Sequence, residues 1–182
     1  MKKNLATVVS VSVLTLLAAF VNAGAASAQQ RARILCSATD NGQSASGSVS
    51  VKQGDREIAN GITGTAIAVP NGTYDVIVTL DGALDHPTVT SQVVVARAQQ
   101  YTTTATFQTA VLQIQVEAAG RHAAGMATIT RNGERVGTLG AGVPCHLSAG
   151  TYDIVVRYRS TERRFDGIAL SPGEHRSLTA SF

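Results

Sequence analysis

Few side chains in this chain can do chemistry, and their spacing limits what that chemistry is. The histidines are His86, His122, His146 and His175, and none stands two or four positions from another ligand type in a pattern that would close around a metal. Cys145 and His146 are adjacent, the nearest approach to a nucleophile beside its base. Neighbours in a strand point to opposite faces, so without a bulge this pair shares neither a metal nor a proton. A small hydrolase working through His146 or His175 is the enzymatic alternative, and it requires a recess that brings either imidazole to a second polar group. No nucleophile elbow, phosphate loop, calcium-binding loop or zinc-protease motif occurs. The residues therefore point away from an enzyme and call for no cofactor and no metal.

The one concentration of charge is Arg157-Tyr158-Arg159-Ser160-Thr161-Glu162-Arg163-Arg164-Phe165. Folded as a hairpin, it sets Arg157 and Arg159 on one outward face with Arg163 or Arg164 opposite. Planar guanidinium forks match sulfate, phosphate and carboxylate groups. The expected chemistry is recognition of an anionic glycan or surface polymer by Arg157, Arg159, Arg163 and Arg164. The competing expectation is a charged hairpin that guards a sheet edge, with Glu162 and Asp166 neutralising the arginines.

The elements that must carry these residues are legible from a repeat. Val69-Pro70-Asn71-Gly72-Thr73-Tyr74-Asp75-Val76-Ile77-Val78 returns as Leu147-Ser148-Ala149-Gly150-Thr151-Tyr152-Asp153-Ile154-Val155-Val156. Alternation of apolar and polar residues runs through nearly every segment, and no stretch after the first 28 residues sustains a helical stripe. The reading is all-β: repeat 1 over 29–108 and repeat 2 over 109–182, each with seven short strands bounded by Gly, Asn or Pro, the signature of a sandwich. Expected strands run over 33–38, 48–52, 57–60, 65–69, 74–80, 89–96 and 101–107, then over 111–117, 126–131, 135–139, 143–147, 152–158, 164–170 and 176–182. Asn132-Gly133 supplies the positive φ angles of a tight hairpin, with Gly54 in the matching place.

In each repeat the motif places a tyrosine, Tyr74 or Tyr152, two residues after a glycine, Gly72 or Gly150, at a strand entrance. The ring is expected to fill the core and the hydroxyl to reach backbone. Asp75 and Asp153 then cap a loop or an amide rather than act as paired acids. The repeats differ where Asp81-Gly82-Ala83-Leu84-Asp85-His86-Pro87 replaces the tighter turn near Ser160, and such divergent loops, with the arginine hairpin, are where function is expected. Gln108 and Thr109 leave almost no linker, so the two repeats must touch or be held at a restricted angle.

The N-terminal segment reads as an export signal. Met1-Lys2-Lys3 is positive, 5–21 is almost wholly apolar, and Ala26-Ser27-Ala28 offers cleavage before Gln29. The expected product is secreted or periplasmic, with no stable membrane anchor. Losing Lys2 and Lys3 takes the formal charge from +3 to about +1, which with 4% aromatics and no Trp is no footprint for nucleic acid. In an exported chain Cys36 and Cys145 allow a disulfide that would staple the repeats together; the other reading is two separate buried thiols.

The sequence of leading strand, Asn-Gly hairpin, small-residue strand and Gly-Thr-Tyr-Asp-[Val/Ile]-x-Val resembles the prealbumin-like or immunoglobulin-like repeats of exported bacterial proteins, of the carboxypeptidase regulatory-like kind, including those that accompany von Willebrand factor A domains. The matching residues are Gly72, Tyr74, Val76 and Val78, then Gly150, Tyr152, Ile154 and Val156. The resemblance implies tandem β-sandwich modules that bind or scaffold at the cell envelope, with an envelope protein or polysaccharide as partner. Tyr158-Arg159-Ser160 also resembles the terminal Tyr-Arg-Gly-Ser of transthyretin-like hydrolases, without its glycine.

Overall fold

Alternation becomes structure strand by strand. The protein is seen in a computed structural model that describes residues 31–182, so the expected leader and its cleavage before Gln29 lie outside the described residues. The first half runs β1 (Ala32–Asp40), β2 (Gln43–Ala45), β3 (Gly47–Gln53), β4 (Arg56–Ile62), β5 (Ala66–Val69), β6 (Gly72–Leu80), β7 (Thr88–Val95) and β8 (Gln100–Phe107). The second runs β9 (Thr109–Ala118), β10 (Arg121–His122), β11 (Met126–Arg131), β12 (Glu134–Gly140), β13 (Pro144–Ser148), β14 (Gly150–Tyr158), β15 (Thr161–Leu170) and β16 (His175–Ser181). All described elements are strands, and the fold is all-β.

Each half is a sandwich of two sheets. In the first, β4-β3-β6-β7 forms an antiparallel sheet. Facing it, β1 pairs with β5 through Ala32–Leu35 and with β2 through Ala38–Asp40, while β8 runs parallel along its other side. The second half repeats the plan: β12-β11-β14-β15 faces β9, which carries β13 and β10 on one side and parallel β16 on the other.

Period-two burial selects the inner faces. In β1 the residues Ala32, Ile34, Cys36 and Ala38 are buried between more exposed neighbours, and in β14 Tyr152, Ile154 and Val156 are. Two separate buried clusters result, one drawn from 32–107 and the other from 110–180. Among the described residues Tyr74 and Tyr152 are the largest fully buried side chains, so in cores otherwise built mainly of Val, Ile, Leu and Ala they supply much of the apolar area removed from water.

Two elements were not visible in the alternation. β2 and β10, of three and two residues, are too short to show a period. Both follow tight turns with positive φ at both central residues: Asn41-Gly42 (50° and 80°) and Ala119-Gly120 (51° and 73°). The β11–β12 turn at Asn132-Gly133 (54° and 81°) is of the same primed kind, whose twist matches that of paired strands.

Candidate functional site

The junction between the halves is built from residues that local pattern leaves unexplained. β8 ends at Phe107 and β9 begins at Thr109, and Thr109, a buried polar residue, is held on three sides. Its amide and hydroxyl donate to the Asp40 carboxylate at 3.0 and 2.5 Å, and its carbonyl accepts from Asn41 Nδ2 at 2.9 Å. The Ala149 amide donates to the Gln108 carbonyl at 2.8 Å. The short connection is therefore fixed by charge-assisted and backbone hydrogen bonds rather than free to swivel.

The Asp81–Pro87 loop adds the second half of the clamp. Ala83 bridges to His146, and the Leu84 amide donates to the His146 carbonyl at 2.9 Å. The Leu84 side chain packs on the second core, against Gly137, where an added Cβ would lie 2.8 Å from Leu84 Cγ. Asp85 follows it in, its side chain only 10% exposed. Its two carboxylate oxygens accept from the Ser148 amide at 3.2 and 3.1 Å, and Arg131 Nη1 lies at 3.9 Å.

Tyr152 stands at the centre of this cluster. Its hydroxyl has one proton, and the 2.7 Å bond to the Ser148 carbonyl is shorter than the 3.3 Å approach to Asp85 Oδ2, so the carbonyl is the main acceptor. Burial first, and then the charge of Asp85, pushes the phenol up to about 12. The Arg131 guanidinium lies over the ring, 5.4 Å from its centroid. Gly150 leaves the space it occupies, since a Cβ there would meet Arg131 Nη2 at 2.7 Å. In the first half the Tyr74 hydroxyl donates to the Pro70 carbonyl at 3.1 Å, and a Cβ on Gly72 would meet Tyr74 Oη at 3.1 Å. Each Gly-x-Tyr thus pairs a buried tyrosine with the gap its surroundings need. Asp153 accepts from the Gly167 amide at 2.8 Å, where the β14–β15 register shifts.

The divergent loop is thus engaged in joining the halves. Its length marks it in the sequence, whereas Leu84-Asp85, Asp40 and Arg131 come from separate stretches of the chain and do not read there as a cluster. The loop's insertion relative to the other repeat was the available signal.

The arginine hairpin lies at the other end of the second sandwich. Cross-strand pairs divide its charges. Arg157 pairs with Glu162 and Arg164 with Val155 on the outer face, whereas Arg163 pairs with Val156 and so starts from the inner face. Arg157 Nε donates to Glu162 Oε1 at 2.6 Å, Arg164 lies 3.5 Å from Asp166, and Arg163 Nε reaches across to the Ser181 carbonyl at 2.9 Å. Arg159 occupies the turn with φ +53° and stacks over Tyr158 at 5.1 Å. The four arginines therefore do not form one patch: Arg159 and Arg163 line the tip, Arg157 lies on the outer face in a groove with Arg135, and Arg164 is drawn off to Asp166. A residue missed at this end is Phe182, whose ring lies 5.5 Å from that of Tyr158; a second missed residue, Arg135, starts nearer the clamp, opposite Thr130, and reaches along the outer sheet face. Arg135 lines a groove of about 640 Å³ with Met126, Thr128, Arg157 and Arg159 on the outer sheet face, and it bonds to the Thr138 hydroxyl.

Cys36 is buried in the first core and Cys145 half-buried against the second, and both are free thiols. Burial raises Cys36, and burial followed by Asp85 pushes Cys145 up to about 11, so neither is a ready nucleophile. His146 lines a recess of about 310 Å³ with Asp40, Ser44, Ser46 and Asp81. Its bond to Leu84 is made by its backbone carbonyl, and the Asp40 carboxylate is engaged by Thr109. His175 is an exposed residue of β16.

No known family model matches the chain, and no curated protein does. Among solved structures it is similar to the Bacillus anthracis TIE protein at 13% identity and a TM-score of 0.39, over 83% of this chain but only 34% of that one. The chain thus spans about a third of the length of that protein. It is also similar to a Bacteroides ovatus protein proposed to be a cell adhesion protein, at 11% identity and a TM-score of 0.40, over 85% of this chain and 93% of that one.

Proposed function

We propose that this chain is an exported, non-enzymatic binding and scaffolding protein of the cell envelope, in which the first sandwich holds the second at a fixed angle for presentation. The observation that carries this is the clamp. A loop of one sandwich places Leu84 on the core of the other and a nearly buried carboxylate, Asp85, on the Ser148 amide. Relative motion is the default for joined domains; a linker of almost no length, with Leu84 seated on the neighbouring core and nearly buried hydrogen bonds beside it, restricts that motion, which suits a spacer or presenting module better than a hinge-closing catalyst. The apolar leader and its small-residue cleavage site support export.

Solution scattering of the intact protein and of Asp85→Ala tests the fixed angle. One narrow shape is expected for the former and a broadened, more extended distribution for the latter, with both sandwiches still folded by circular dichroism. Identical scattering would overturn the fixed presentation. Pull-down from envelope extract with the intact protein should recover an envelope component, and recovery of none would overturn the binding role.

A further inference from the structure

The end of the second sandwich remote from the clamp carries an unused constellation. Thr109 marks the clamp end of β9, and Ser181 pairs with Glu117 at the other end. Eight residues of strand, about 27 Å at the usual rise, separate the two. At that tip Tyr158, Arg159, Arg163 and Phe182 surround a recess of about 470 Å³, with Glu162 in its wall and Arg157 beside it.

Three features give the tip a ligand preference. First, its guanidinium groups are held in place. Arg163 is tied through Nε to the Ser181 carbonyl, and Arg159 is held by stacking on Tyr158. Anchoring through Nε leaves the terminal amino groups of Arg163 for another acceptor, and pre-ordered side chains lose less entropy on binding. Secondly, Glu162 is already matched by Arg157, while Arg159 and Arg163 have no carboxylate partner among the described residues. The recess therefore carries positive charge, and an anion complements it. Thirdly, the Tyr158 and Phe182 rings, 5.5 Å apart and tilted by 44°, add an apolar surface between the cationic groups. Alternating rings and guanidinium groups on an open surface suit a chain of sugar rings bearing acidic substituents.

We propose that this tip binds an acidic polysaccharide, with Arg159 and Arg163 taking its carboxylates or sulfates and the Phe182 ring lying against a sugar face. The inference rests on reading the chain as a binding protein, and it narrows the hairpin's residues: Arg157, on the outer face, and Arg164 are outside the site and Phe182 is inside it.

The test is retention of the intact protein on immobilised polygalacturonate and heparin, with dextran as the neutral polymer and polyglutamate as an acidic polypeptide. Binding to an acidic polysaccharide but not to dextran is expected. R159Q/R163Q should weaken it about tenfold or more, whereas R33Q/R56Q, which removes equal charge from the first sandwich, should leave it unchanged. F182L keeps the charge and apolar bulk but loses the ring. It should weaken polysaccharide binding severalfold while leaving any polyglutamate binding as it was, with thermal unfolding confirming that the variant is folded. No binding by the intact protein, an unaffected R159Q/R163Q, or equal affinity for polyglutamate would overturn the proposal. So would R159Q/R163Q causing aggregation without loss of binding, the mark of an edge-guarding role. Asp85→Ala loosens the clamp without touching this recess, so retained polysaccharide binding beside lost rigidity counts against the fixed presentation alone, and the converse against this site alone.

Discussion

Leu84 and Gly137 show how one residue type at one position fixes the relation of two sandwiches. The strand at Gly137 has no side chain of its own, and the Leu84 methyls fill that gap from the other half, with Cγ and Cδ1 both 2.8 Å from where a Cβ would stand. Gly137→Ala should therefore destabilise the protein by about 1–3 kcal/mol through overpacking, even though alanine suits an ordinary strand position better than glycine. In a Leu84→Ala background the clash disappears, so Gly137→Ala there should be close to neutral. Denaturant midpoints of the two single variants and the double variant measure the coupling. Additive losses would show that the contact does not determine the cost. The sequence could not reveal this pair, because Leu84 and Gly137 lie 53 residues apart, and Asp85 beside Leu84 lies 63 residues from Ser148 and 67 from Tyr152. Spacing rules reach along a strand or a turn and not across that distance.

At the scale of elements, period-two alternation and turn signals were enough to place all fourteen expected strands, because most have one face in a dry core and one toward water, although the edge strand β4 has no fully buried residue. What alternation missed follows from the same cause. β2 and β10 form where a turn reverses the first strand of each half and pairs it briefly with itself, and two or three residues show no period. The Asn41-Gly42 dipeptide was a usable turn signal, but Ala119-Gly120 was not. Ala119 holds φ at +51°, a conformation that costs an ordinary L-residue about 1–2 kcal/mol and that asparagine tolerates. Ala119→Asn, which gives this turn the residues of its counterpart Asn41-Gly42, should stabilise the second sandwich by a few tenths to about 1 kcal/mol. A raised thermal midpoint of the intact protein checks this, and an unchanged or lowered one would deny that the turn stores strain. The arginine hairpin was legible as a concentration of charge and as a candidate anion-binding group, but not in which of its arginines share a face. Its division between outer and inner faces depends on the register that pairs Val156 with Arg163, and its aromatic partner Phe182 comes from a different strand end.

Across the whole molecule, the clamp and the second core respond to pH through a buried phenol and a neighbouring thiol. Tyr152 closes the second core, and its hydroxyl bonds to the Ser148 carbonyl beside the carboxylate that arrives from the first sandwich. Burial and Asp85 push it from an ordinary value of 10 up to about 12, and Cys145 nearby from 9 up to about 11. The folded state therefore favours the protonated forms of both. Their contribution to stability is intact below the unfolded values and is lost as pH rises through the folded ones, over pH 9 to 11 for the thiol and 10 to 12 for the phenol. Stability should thus fall steeply between pH 9 and 12, and the second sandwich should lose it first. Tyr152→Phe keeps the ring and removes the ionisable group, leaving Asp85 one contact poorer. It should cost about 1 kcal/mol at neutral pH, the usual net worth of such a hydrogen bond, and flatten the upper part of the alkaline decline. Denaturant unfolding across that range, with the tyrosinate absorbance of the parent and of Tyr152→Phe followed in parallel, separates the two effects: the absorbance that the variant lacks should rise together with unfolding. If Tyr152→Phe follows the parent curve throughout, the phenol does not couple the second core to alkaline pH, and the decline belongs to the thiols that burial raises, Cys145 and Cys36.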